Sequence, residues 1–332
     1  MKKVFDFIDE NRKAFGKIKQ EEVLPHIDPG TNKVYNYMAN RVLCPICSVD
    51  DIVWVFEKGG FDFVKCRHCG LLYVNPQLKA DVSEAFYKRS KTSTAWIKVQ
   101  QGEKEQDWNY RMKYFPALKE LKSLKPQGGR LLDIGCSIGQ FVKHSAKFGW
   151  QGEGVELNKE AVEFGRKEYG LKIYDKKLDE LGLDGESYDL ITLWGVLEHL
   201  TDPNKMLLDV NRLLKKDGLL LLFVPNGHSL IVRLSREHNS TVSGRSHLWY
   251  FTPVTISKIL EKNGFKKKSE FSVLPQVHEI AHFMQYNILY KEPDMLCDEE
   301  FFLDDEEKDN FEQYINKNKL GYKLITIAGK NI

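Results

Sequence analysis

The sequence predicts an α/β fold, a mostly parallel sheet flanked by helices, with a small four-cysteine module in front of it. From Gly128 onward, strand-like and helix-like segments alternate, which is the pattern of right-handed crossovers and a parallel sheet. Four of the six cysteines fall into two Cys-x-x-Cys pairs between residues 44 and 69. At 332 residues the chain exceeds one minimal domain and suits a large domain with a satellite.

Composition narrows the class. Hydrophobic residues at 42% and aromatics at 12% supply a sizeable core. Charged residues at 29% nearly cancel to +2, a poor match to a generic polyanion binder. Acidic residues interrupt the stretch Met1 to Glu10, so no secretory apolar core forms there. The longest aliphatic run, Leu219 to Val224, is a strand length and far short of a membrane span. A cytoplasmic protein with reduced cysteines and no membrane partner is the expectation.

In chain order, residues 1–40 are polar and helical, and residues 41–76 hold the cysteine module. Residues 77–127 form a helical linker or lid rich in aromatics, including Phe86, Tyr87, Trp96, Trp108, Tyr110, Tyr114 and Phe115. The main domain spans 128–332. Its strands are expected at Arg130–Ile134, Gly152–Glu156, Leu171–Tyr174, Tyr188–Trp194, Leu219–Val224, Phe265–Val273 and from Gly321 to Gly329. Helices lie between them at Gln140–Phe148, Lys159–Tyr169, Asn204–Leu214 and Pro253–Asn263. Residues 276–318 are a helical insertion, and the acidic cluster Asp298 to Asp309 is a solvated helical face.

Cys44-Pro-Ile-Cys47 and Cys66-Arg-His-Cys69 have the spacing of paired zinc knuckles. Two knuckles complete a tetrahedral sulfur shell with no open position, so the zinc is structural. The intervening stretch around Gly59-Gly60 is a hairpin, and Gly70 sits where a knuckle needs a residue without a side chain. His68 is expected at the surface, not on the metal.

The turn Asp133-Ile-Gly135-Cys136-Ser-Ile-Gly139 joins the first strand to a helix, where glycines admit a ligand to the backbone. Glu156 ends the second strand about twenty residues on, placed to accept the hydroxyls of a ribose. Ser137 stands where a dinucleotide fingerprint has its second glycine, and Asp133 would repel a pyrophosphate. A nucleoside carrying ammonium and sulfonium groups fits that electrostatics better.

Asp133 to Gly139, Glu156, Tyr188 to Trp194 and Val196-Leu-Glu198-His199 resemble successive motifs of class I S-adenosylmethionine-dependent methyltransferases. His247-Leu-Trp-Tyr-Phe-Thr-Pro253 and Asn263-Gly-Phe265 are similar to a large subgroup of that family. The knuckles ending in Cys69-Gly-Leu-Leu-Tyr-Val-Asn-Pro76 recur in front of members acting on sugars and other small molecules. The resemblance covers roughly residues 44–76 and 128–274, plus the final strand. It implies a Rossmann-like seven-stranded sheet with its last strand antiparallel and S-adenosylmethionine over the carboxyl ends of the first strands. On that resemblance Gly135 and Gly139 lie against the methionine end and ribose, with Cys136 between them. Asp133 reaches the amino group, Glu156 holds the ribose with Leu157 beside it, and Lys177 and Leu178 flank the adenine. Trp194 and Gly195 lie beside the reactive methyl. Ser137 departs from the commoner middle glycine.

Methyl transfer needs alignment of the nucleophile and, where required, removal of its proton. Candidate bases are His199, after the fourth strand, and His228, His247 and Tyr250, after the fifth. The stretch Asn226–Phe251 is expected to be a polar loop with few core residues. Resembling enzymes that methylate quinone-like phenols place a metal on a Glu-x-x-Glu-His pattern. Here Gly195 replaces the first glutamate, so no catalytic metal is expected. The expected acceptor is a small hydroxylated molecule, such as a sugar or nucleotide-sugar. The alternatives are an RNA methyltransferase, with Lys266–Lys268 as a basic cluster, and a non-catalytic scaffold that keeps the fold.

Overall fold

A computed structural model describes residues 24–83, 91–239, 241–277 and 303–331, together with residues 18, 21, 22, 279 and 280. Half of the N-terminal segment 1–40, Phe86 and Tyr87, and residues 281–302 of the expected insertion, Cys297 among them, lie outside the described residues.

Strands β1 (Ile52–Lys58) and β2 (Phe61–Cys66) form the expected hairpin, with Lys58 paired to Phe61. Gly59 and Gly60 turn it with φ of 58° and 82°, a two-residue turn whose twist matches paired strands. Strand β3 (Leu72–Val74) adds antiparallel to β2. Helices α1 (Lys91–Gln101), α2 (Glu103–Asn109) and α3 (Phe115–Leu124) follow, with a π-helical turn at Tyr110–Tyr114.

The main domain runs β4 (Gly129–Ile134), α4 (Gln140–Ser145), β5 (Trp150–Val155), α5 (Lys159–Tyr169), β6 (Ile173–Tyr174) and β7 (Tyr188–Trp194). It continues through α6 (Pro203–Leu213), β8 (Leu214–Pro225), α7 (Leu230–Ser235), β9 (Trp249–Tyr250) and α8 (Pro253–Lys262). Strand β10 (Phe265–Val273), helix α9 (Asp305–Lys317) and strand β11 (Lys323–Lys330) complete it. Seven strands order as β6-β5-β4-β7-β8-β11-β10. The first five are parallel, and β11 is antiparallel to both its neighbours. The Rossmann-like sheet with an antiparallel last strand is therefore present.

Residue type explains the central strands. Tyr188–Trp194 and Leu219–Val224 are covered on both faces, so they are continuous apolar runs and not alternating ones. Side-chain caps start the crossover helices: Asn158 accepts from Ala161 N–H, and Asp202 accepts from Lys205 N–H with Pro203 in the first turn.

Two features depart from the sequence reading. The cysteine module is not a separate bead: β9, from the main domain, pairs with β3 through Trp249↔Tyr73 and Tyr250↔Leu72. The module's sheet is thus four-stranded, β9-β3-β2-β1, and Cys44, Val64, Leu71 and Tyr73 share one core with Leu132, Leu222 and Trp249. The first knuckle is also held by hydrogen bonds from Asn204 Nδ2 and Lys262 Nζ to Pro45 O. The second departure is the stretch 226–251. It contains helix α7, whose Ile231 packs with Val277, Ile280 and Ile315, while Val242 and Leu248 to Phe251 are buried. Its apolar residues are scattered between polar ones, so they form two small packed faces in place of an open loop.

Candidate active site

In the module, the sulfur atoms of Cys44, Cys47, Cys66 and Cys69 all lie within 4.8 Å of one another, with Cys44 and Cys69 Sγ 3.5 Å apart. A tetrahedral zinc with bonds of about 2.3 Å sets its sulfurs about 3.8 Å apart, so the donor set fits that ion. The knuckles close alike. Ser48 N–H donates to Cys44 O at 2.8 Å and Gly70 N–H to Cys66 O at 3.0 Å, with left-handed φ of 59° and 80°. Burial pushes the Cys44 thiol up to about 12 and the Cys69 thiol up to about 11, so a bound cation has to compensate the thiolates. His68 is exposed and its Nε2 pairs with Asp51 at 3.0 Å.

At the carboxyl edge of the large sheet, Asp133 is buried and accepts a hydrogen bond from the Thr192 hydroxyl at 2.7 Å. Burial pushes its carboxyl up to about 7; the Thr192 bond opposes that and the charge of Glu156 adds to it. Gly135 and Gly139 have φ of 71° and 82°, and a Cβ would stand 2.6 Å from Val196 Cγ2 at the first and 2.4 Å from Leu171 Cδ1 at the second. Ser137 adopts φ of 51° between them, a conformation that favours glycine. Glu156 closes the loop from the other side. Its Oε2 accepts from Ser137 N–H at 2.9 Å, and its Oε1 accepts from Leu157 and Asn158 N–H at 2.8 Å each.

The remaining expected cofactor residues lie around this loop. The Cys136 thiol packs with Val142, Val162 and Ile173, so that position offers backbone alone. Lys177 precedes a 3-10 turn at Leu178–Glu180, with Leu178 buried and Leu157 exposed. The Trp194 ring meets Phe141, Tyr114 and Phe223 at centroid distances of 4.8, 4.9 and 5.1 Å, and its buried Nε1 has no hydrogen-bond partner. Tyr114 comes from the helical segment. That segment also reaches the loop through Gln140 Nε2, which donates to Gln100 O at 2.9 Å.

Beyond Gly195 the chain turns through Leu197–His199. The structure brings His199 and His247 together, with ring centroids 4.8 Å apart. His199 Nδ1 lies 2.5 Å from Ser246 O and His247 Nδ1 lies 2.7 Å from Thr241 O. A carbonyl only accepts, so each Nδ1 carries the proton and each neutral ring has its lone pair on Nε2. Sequence reasoning passed over Glu198. Its carboxyl is 1% exposed, Oε2 has no hydrogen-bond partner, and Oε1 is 4.0 Å from His199 Nε2. Burial pushes Glu198 up to about 7, against the pull of Lys323. The Glu-His dipeptide was visible, but the burial that distinguishes Glu198 is a tertiary property. Tyr250 sits differently from the expectation. It is buried against Phe63, its hydroxyl accepts from Ser243 N–H at 2.9 Å, and burial raises its pKa above the ordinary phenol value. That placement makes it a packing residue of the module junction.

Residues 108–270 match the methyltransferase-domain family. The chain carries a class I S-adenosylmethionine-dependent methyltransferase domain. Among curated relatives, the ubiquinone biosynthesis O-methyltransferase of Haemophilus ducreyi is 29% identical over 136 residues, 38% of this chain and 55% of that protein. An uncharacterised protein of Methanocaldococcus jannaschii is 24% identical over 169 residues, 50% of this chain and 79% of that one. The chain spans about half the length of the curated O-methyltransferases it matches. A solved structure, the 1,6-didemethyltoxoflavin-N1-methyltransferase of Burkholderia thailandensis with its substrate and S-adenosylhomocysteine, shares the fold. It has a TM-score of 0.50 and 14% identity, covering 84% of this chain and 99% of that one. Among the described residues, no helix is long and apolar enough to cross a membrane.

Proposed function

We propose that the protein transfers a methyl group from S-adenosylmethionine to the hydroxyl of a small polar acceptor. The observation that carries this is the convergence of His199, His247 and Glu198 just beyond Trp194 and Gly195, where the methyl emerges. S-adenosylmethionine supplies an electrophilic methyl carbon on a good leaving group. Asp133 receives its ammonium group, Glu156 its ribose hydroxyls, and the backbone of Gly135 to Gly139 lies along it. The turn at Lys177–Leu178 flanks the adenine. The histidine pair and Glu198 receive the acceptor hydroxyl, and their acceptor atoms take up its proton as the oxygen attacks in line. The Cys44, Cys47, Cys66 and Cys69 zinc has no open position and serves structure.

A three-acceptor cluster suits a hydroxylated molecule, and the O-methyltransferase relatives point the same way. Ring hydroxyls of phenols and quinols therefore join sugars and nucleotide-sugars as acceptor classes. The test is a screen with methyl-labelled S-adenosylmethionine against nucleotide-sugars, small phenols and quinols, and RNA. Label on a small hydroxylated compound is the expected result. Label on RNA alone, or on none of them, overturns the acceptor assignment.

A further inference from the structure

We propose that Lys323, with Lys113 beside it, receives an anionic group on the acceptor, so that the molecule methylated is a hydroxylated acid and not a neutral alcohol or phenol. This rests on the reading above for the hydroxyl end and adds the charge at the other end.

Sheet register brings the site together. Trp194 pairs with Phe223, Phe223 with Ile325, and Pro225 with Lys323. Lys323 therefore stands beyond Phe223 at the carboxyl edge, and the two-residue period of β11 puts it on the face that carries Phe223 and Trp194. Its ammonium lies 5.5 Å from the Phe223 ring centroid and 5.4 Å from that of Tyr322. Lys113 approaches the same Phe223 ring from the helical segment, at 5.8 Å. The Trp108 ring at 4.7 Å and Asn109 Oδ1 at 2.5 Å hold it there. Lys113 belongs to the π-helical turn Tyr110–Tyr114, an irregularity that recurs at functional sites and here also delivers Tyr114 against Trp194.

Lys323 lacks a counterion. Among the described residues its Nζ takes part in no hydrogen bond and no ion pair, and its partners are the two ring faces. It is part-buried, and burial lowers its pKa from the ordinary lysine value, with Glu198 opposing. An ammonium in that position gains more from a charge-assisted hydrogen bond to an anion than from aromatic faces alone. The indole Nε1–H of Trp194, buried and without a partner, is a further donor in the same cluster. Glu198, placed above at the hydroxyl end, is near enough to feel the charge of Lys323. One small molecule with a hydroxyl at one end and a carboxylate or phosphate at the other therefore meets both sets of groups. A neutral acceptor would shield the ammonium from water and leave it uncompensated.

The test uses the full chain saturated with S-adenosylhomocysteine and three ring probes: benzoate, phenyl phosphate and neutral benzamide. None carries an acceptor hydroxyl, so they report the anion site alone. Calorimetry should show at least one anion binding ~10-fold or more tightly than benzamide, and the better of the two separates a carboxylate site from a phosphate site. Lys323→Met should erase that preference while still binding S-adenosylhomocysteine, which shows that it folds, and Lys323→Arg should keep it. Binding of neither anion, equal binding of benzamide, or a preference unchanged in Lys323→Met overturns the site. Should Lys323→Met fail to fold, Lys113→Met decides. It must weaken the preferred anion by at least about threefold, and an unchanged affinity refutes the proposal. Anion binding without methyl transfer to any hydroxylated compound would sink the acceptor reading and leave this site standing. Transfer to neutral hydroxylated compounds with no anion preference would do the reverse.

Discussion

In the proposed assignment Glu156 and Asp133 divide the recognition of a charged nucleoside between them, and each makes a measurable demand. Glu156→Ala removes charge-assisted hydrogen bonds to the ribose and also the anchor for Ser137 N–H. A cost of about 2–4 kcal/mol is expected, at least roughly thirtyfold in the affinity for S-adenosylhomocysteine by calorimetry. Asp133 gives a pH dependence. Its carboxyl is raised to about 7 by burial, so folding takes up a proton between the ordinary ~3.9 and that value. Its contribution to stability therefore falls as pH rises through that window and is flat above it. A ligand ammonium favours the carboxylate, so binding expels the proton below pH 7. Affinity for S-adenosylhomocysteine should fall by up to about tenfold per unit below pH 7, with proton release in calorimetry. Asp133→Asn should abolish that release; a pH slope unchanged in the variant assigns the proton elsewhere. His199→Ala or His247→Ala should lower kcat by about tenfold to a thousandfold while leaving S-adenosylhomocysteine binding nearly intact. Full turnover in both variants moves the proton chemistry to other groups.

Strand β9 is only two residues long, yet it joins the cysteine module to the loop bearing His247. Trp249 is 1% exposed, its ring stands 5.6 Å from that of Tyr73, and its Nε1–H reaches Leu200 O, one residue past His199. Trp249→Ala should cost about 3–5 kcal/mol in urea unfolding. Because the same strand places His247, turnover should fall more than S-adenosylhomocysteine affinity does. Equal losses in both would mean that β9 contributes packing alone. The strand also shows where sequence reading stops. Paired Cys-x-x-Cys and the glycine turn are local patterns, so the knuckles and the cofactor loop were legible. A two-residue pairing between positions 73 and 249 has no periodicity to detect. Tyr250 and Glu198 show the same limit in opposite directions. A polar aromatic next to histidines resembles an acid–base group until burial places it in a core. An acidic residue in a turn resembles surface until its carboxylate proves to be enclosed.

The whole molecule shares one core across the boundary that the cysteine spacing suggests, with Cys66, Leu71 and Tyr73 packed into the cluster of Leu132, Leu222 and Ile256. Module and sheet should consequently melt together. Calorimetry should show a single transition, and zinc removal by a strong chelator should lower its midpoint without creating an early, separate one. Two resolved transitions would restore the module as an independent unit. The parallel sheet was legible through its alternation, and its seven strands with the last antiparallel through the family resemblance, whereas the shared core depends on contacts between distant segments. That sharing also has a consequence for synthesis from the N-terminus. The knuckles and β1 to β3 leave the ribosome before β9 does, with the β3 edge still lacking its partner. The chain from Val74 to Trp249 must follow, on the order of ten seconds or more at ~5–20 residues per second. During that interval the nascent module presents an open strand edge and an uncovered Tyr73, a window in which early zinc capture and shielding by a chaperone would decide the yield of folded protein.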